Sequence, residues 1–140
     1  MENCGPSRRG IKTAIEELLR YESPLATATE RFAREDMAVA GVTIPRGGLV
    51  YAVLASANRD PRQFPGPDTL DLAREPNKHF AFGLGIHYSL GAPLARLEGE
   101  IAISTLLRRA LGLRLRVAPQ ALRWQRGLVL RGLEALPVAL

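Results

Sequence analysis

Two groups of residues in this 140-residue chain have the types and spacing that chemistry could use. The first is Glu17-Leu18-Leu19-Arg20. Three-residue spacing sets an acid beside a base on one helix face, but an exposed pair of that kind is worth only on the order of a few tenths of a kcal/mol. The second is Phe82-Gly83-x-Gly85-x-His87-x-Ser89-x-Gly91, which runs straight into Pro93-Leu94-Ala95-Arg96. Glycines at these spacings let the backbone pass close to a flat ligand or take positive φ. A phosphate-binding turn is the competing use, yet the preceding apolar strand, the third glycine spacing and the Walker lysine are all missing. His87 is the only histidine of the loop, and a hydrogen-bonding role is favoured for it over metal ligation, although imidazole is a common ligand. The single cysteine is Cys4, which excludes an intrachain disulfide framework and a cysteine-based zinc site.

The elements that must hold these groups can be read from periodicity. Ile11, Ile15, Leu18 and Leu19 share a face, so a helix is expected from Ile11 to Tyr21, ending at Ser23-Pro24. Met37 to Leu54 suggests two short strands, with the turn between them marked by Pro45 and Gly47-Gly48. A short helix is expected over Ala55–Asp60. Asp60 to His79, with Pro61, Pro65, Pro67 and Pro76, reads as a long ordered loop. Pro93 suits the first turn of a second long helix, whose apolar stripe of Leu94, Leu97, Ile101 and Leu107 runs to about Leu111. The tail from Leu113 to Leu140 reads as strands and hairpins. Two helices, a few strands and much loop are too irregular for a self-contained small fold and look like a piece of something larger.

The chain carries 19 basic and 14 acidic residues, and only Lys12 and Lys78 among the bases are lysine. The arginines are scattered among apolar residues from Arg8 to Arg131, without the run or single face of a nucleic-acid binder. A basic patch facing an acidic protein partner is the better reading. No signal peptide or membrane span is legible, so a soluble, cytoplasmic protein is expected.

Taken in order, the pieces resemble the C-terminal part of the bacterial soluble cytochromes P450. The Glu17-x-x-Arg20 helix is followed by a β-hairpin, then Ala57-Asn58-Arg59-Asp60-Pro61, then a proline-rich meander from Phe64 to Arg74. The glycine-rich loop and the helix opening Leu94-Ala95-Arg96 complete the pattern. The resemblance covers roughly residues 13–140 and leaves 1–12 as an atypical leader. It implies an α+β, mainly α, fold: the Glu-x-x-Arg helix, hairpin, meander, heme-binding loop, long helix and C-terminal β-hairpins of the P450 domain.

The resemblance also implies roles. Glu17, Arg20 and Arg74 would form a buried charge triad pinning the meander. Arg31 would reach one heme propionate and His87 the other. Phe82, Gly83, Gly85 and Gly91 would shape the loop against the porphyrin, and Arg96 would face a small acidic ferredoxin-type electron donor. Ser89 falls on the metal position, where the family has a cysteine thiolate whose electron donation favours O–O cleavage. A serine hydroxyl stays protonated near neutral pH and is a poor ligand for heme iron. Thr69 also replaces an arginine often seen in the meander.

The resemblance further implies that the long central helix with its oxygen-activating acid–alcohol pair, and most of the substrate pocket, fall outside the match. The expected protein is therefore a truncated, degenerate P450 relative. Its family function is heme binding and monooxygenation of a small organic substrate, and the chain alone is not expected to be competent. The alternatives are a non-enzymatic heme- or ferredoxin-binding module, and a heme oxidoreductase completed by a separate chain.

Overall fold

A computed structural model describes residues 8–140; Cys4 and the first seven residues of the expected leader lie outside the described residues. Helix α1 spans Arg8–Tyr21 and so starts three residues before the expected Ile11. Ile11, Ala14 and Ile15 are buried on it, while Leu18 and Leu19 are only half-buried. The most deeply buried side chains of α1 are instead Glu17 and Arg20, a reversal the hydrophobic pattern could not announce.

Three two-stranded ribbons follow. Strand β1 (Arg31–Phe32) pairs antiparallel with β4 (Leu49–Val50), and β2 (Met37–Val39) pairs with β3 (Val42–Ile44). The β2–β3 turn is Ala40-Gly41, with φ of 48° and 81°. The expected turn at Pro45–Gly48 instead carries the chain from β3 into β4. Positive φ at both central positions is what the type I′ two-residue hairpin requires, and Ala-Gly is a fainter signal of it than Asn-Gly.

Helix α2 (Leu54–Ala57) is a single turn. The segment from there to residue 84 carries no regular helix or strand. Helix α3 (Ala92–Arg109) has its proline in the first turn, as expected, and ends two residues before the expected Leu111. It lies against α1 through Gly99, where an added Cβ would sit 3.2 Å from Ile15 Cδ1. The opposite, apolar stripe of Leu94, Leu97 and Ile101 is exposed. The tail forms the third ribbon, β5 (Arg114–Leu115) with β6 (Val138–Ala139). It is tied back by the Leu25–Leu130 bridge and by the Thr27 hydroxyl donating to the Leu128 carbonyl at 2.9 Å.

Candidate functional site

Helix α1 presents two consecutive carboxylates to two different parts of the chain. Glu17 accepts both hydrogen bonds of the Arg20 fork, Nε at 2.7 Å and Nη2 at 2.8 Å. It also accepts Arg74 Nε at 3.2 Å, the Asp71 N–H at 3.0 Å and Asn77 Nδ2 at 3.0 Å. Burial alone would raise the pKa of this carboxyl, but the donors from Arg20, Asp71 and Arg74 outweigh it and hold the pKa at about 2. Arg20 then reaches across the fold to the carbonyls of Asn58, Pro67 and Thr69, and its guanidinium lies over Phe64. Arg74 binds the carbonyls of Pro65, Gly66 and Thr69. The structure thus brings Glu17, Arg20 and Arg74 together, and the meander hangs from their donors. Residue 69 takes part through its carbonyl, so a threonine there serves as well as any residue.

Glu16 anchors a second network. It accepts Arg96 through Nε at 2.6 Å and Nη2 at 2.9 Å, and it meets His79 Nε2 at 3.0 Å. Burial would raise the Glu16 pKa, but Arg96 and His79 bring it below the usual carboxylate range. Burial pushes the His79 pKa down against the pull of Glu16, so the ring is neutral at pH 7. The Glu16 hydrogen bond raises the Arg96 pKa further. Arg96 also donates to Tyr88 Oη at 2.8 Å and covers the Phe82 ring at 4.7 Å. Its charge is thus neutralised within the fold by Glu16.

The glycine-rich loop closes over this network. Its entry is fixed by the Phe80 N–H donating to Asn58 Oδ1 at 2.7 Å. Gly83 and Gly85 take φ of 75° and 68°, which Cβ-bearing residues rarely adopt. A single 3-10 turn follows over Gly85–His87. The Ser89 N–H donates back to the Phe82 carbonyl at 2.9 Å, and the Ser89 carbonyl accepts the Ala92 N–H at 3.2 Å, joining the loop to α3. Gly91 is the N-cap of α3. His87 is exposed, and Ser89 is half-buried with no protein hydrogen bond to its hydroxyl among the described residues. Arg31 is exposed on β1, its guanidinium held by Thr29 and the Glu30 carbonyl.

Leu84, Ile86 and Leu90 stand outward from the loop, 72%, 96% and 99% exposed. A Cβ built on Gly85 would meet nothing within 4 Å, which leaves this face open. A flat apolar ligand such as a porphyrin fits a surface of this kind. A thiolate-ligated iron does not fit the donor set, because residue 89 supplies a hydroxyl. Among the described residues there is no cluster of metal-ligating side chains, and no helix is long and apolar enough to cross a membrane.

Glu16, Asn77, His79 and Tyr88 join the site at positions where spacing in the sequence gives no signal, and Asn58 is marked there only as part of the Ala57–Pro61 segment.

The cytochrome P450 family profile matches residues 11–120. The polyketide biosynthesis cytochrome P450 PksS of Bacillus subtilis is 51% identical over 130 residues, 93% of this chain and 32% of that protein. The 6-deoxyerythronolide B hydroxylase of Saccharopolyspora erythraea is 45% identical over 93% of this chain and 32% of its own length. The solved structure of PksS superposes with a TM-score of 0.90 over 94% of this chain and 34% of that one. A structure of P450BioI in complex with a fatty-acid-ligated acyl carrier protein superposes at 0.85, with 48% identity, over 94% of this chain and 33% of that one. The chain therefore spans about a third of the length of the relatives it matches.

Proposed function

Since this chain belongs to the cytochrome P450 family, we propose that it forms the proximal, loop-bearing face of a heme site in which a serine hydroxyl stands at the iron position. On this reading Phe82, Gly83, Gly85 and Gly91 shape the backbone against the ring, and Leu84, Ile86 and Leu90 supply apolar contact. His87 and Arg31 are the candidates for the propionates. Heme would supply the oxidative chemistry of the family; the residues of this chain bind and orient it. Monooxygenation of a small organic substrate is not assigned to the chain as it stands, because a protonated hydroxyl lacks the electron donation of a thiolate.

The single observation that carries this reading is the position of Ser89 at the end of the glycine-rich loop, its N–H closed onto the Phe82 carbonyl and its hydroxyl without a protein donor among the described residues. The test is reconstitution of the purified chain and its Ser89→Cys variant with heme, followed by carbon monoxide difference spectra. Heme uptake by both, with a thiolate-type spectrum only in Ser89→Cys, supports it. A thiolate-type spectrum from the natural chain, or uptake by neither, overturns it.

A second reading is docking of an acidic ferredoxin-type protein. It is favoured by Arg108, Arg109, Arg114, Arg116, Arg123 and Arg126, all exposed and none ion-paired with a described carboxylate. Arg96, already neutralised by Glu16, would add less to such a surface. Saturable, salt-sensitive binding of a ferredoxin by heme-free protein would support it.

A further inference from the structure

Tyr88 immediately precedes Ser89, and its hydroxyl accepts from Arg96 Nη1 at 2.8 Å. Arg96 is in turn fixed by the two-pronged hydrogen bond to Glu16. A planar guanidinium gripped on both edges has little freedom to swing. A second route reaches the same residue. The Phe82 carbonyl receives the Ser89 N–H at 2.9 Å, and the Phe82 ring packs under Arg96 at 4.7 Å, beside His79 and Tyr88 at 6.3 Å each. Both routes end at one carboxylate, on a helix that lies about 70 residues earlier in the chain.

We propose that Glu16, acting through Arg96, Tyr88 and Phe82, is the positioning residue that sets where residue 89 lies on the loop. Glu17 pins the meander, whereas Glu16 pins the segment that carries the iron-facing position. The functional meaning of this rests on the heme reading above; the positioning itself does not, and can be measured without heme.

The experiment is amide hydrogen exchange on the full chain, comparing the Ser89 N–H with the buried amides of α1. The variants are Glu16→Gln and Tyr88→Phe, with Glu22→Gln as a control that weakens the surface pair to Arg131. The expected result is Ser89 exchange faster by about tenfold in both variants, the factor expected for loss of a charge-assisted hydrogen bond. The α1 amides should stay within about twofold, and the control should change neither. If Glu16→Gln fails to fold, Tyr88→Phe decides, since it keeps the exposed ring and removes only the acceptor. Ser89 exchange that is unchanged in Tyr88→Phe, or that rises only in step with the α1 amides, overturns the proposal. Failure of Ser89→Cys to take up heme would sink the heme reading and leave this result standing.

Discussion

Glu16 and Glu17 are adjacent on α1, yet their carboxylates hold different parts of the chain: Glu17 binds Arg20 and Arg74, and Glu16 binds Arg96 and His79. Neighbouring residues on a helix point about 100° apart, so one turn of α1 can anchor the meander on one side and α3 with the loop on the other. The consequences of the two anchors differ, because Glu17 is fully buried and Glu16 is part-exposed.

Glu17→Gln should be the most damaging single change. It leaves the buried Arg20 guanidinium without its counter-charge, a loss of about 3–5 kcal/mol. Arg74→Ala should cost less, about 1–2 kcal/mol, since Glu17 keeps Arg20, the Asp71 N–H and Asn77. Urea denaturation of the three proteins checks the order; a larger loss in Arg74→Ala would show that the meander, not the buried pair, dominates.

Acid should lower the stability of the protein in two pH windows. His79 has its folded pKa below its ordinary 6.5 because it is buried. Below pH 6.5 the unfolded chain therefore takes up this proton first, and stability declines as pH falls. Glu17, with a folded pKa of about 2 against 4.5, contributes fully above pH 4.5 and loses that contribution as pH falls towards 2. That shift corresponds to about 3 kcal/mol. The pH dependence of urea midpoints for the natural chain and His79→Gln tests the first window. An equal slope between pH 7 and 5 in both would remove His79 as the cause.

Gly99 of α3 faces Ile15 of α1. Replacing a mid-helix glycine by alanine gains about 1 kcal/mol of helix propensity, but the new Cβ would stand 3.2 Å from Ile15 Cδ1. Gly99→Ala should thus be near neutral alone and stabilising in an Ile15→Val background, where that methyl is gone. Gly99→Leu should destabilise by about 1–3 kcal/mol through overpacking. A thermal-denaturation cycle of the four alanine and valine combinations reads the coupling, and strict additivity would refute the contact.

Gly83 and Gly85 both take left-handed φ, but only Gly83 has a neighbour at its absent Cβ, the His87 carbonyl at 3.4 Å. Gly85→Ala should therefore cost only the backbone strain, about 1–2 kcal/mol, and Gly83→Ala somewhat more. Equal losses in the two variants would mean that the His87 carbonyl moves aside freely.

The sequence by itself determined the family and the two long helices, because these are written in residue types at short spacings, whereas Arg74 was tied to Glu17 and Arg20 only by what the family resemblance implies. Glu17-x-x-Arg20 lies within one helical turn, the glycine loop within ten residues, and Pro93 marks the start of α3. Tertiary structure alone decided that Ala40-Gly41 makes the hairpin turn, that β4 pairs with β1, and that Glu16 holds Arg96 and His79. It also decided that Arg20 would bind the carbonyls of Asn58, Pro67 and Thr69. The physical reason is the nature of the acceptors and the distances along the chain. A backbone carbonyl is the same at every residue, so a donor bridging tens of residues to reach one leaves no mark in the sequence. A guanidinium can satisfy either a partner's carboxylate or its own chain's, and only the packing of α3 against α1 brings Glu16 within reach of Arg96.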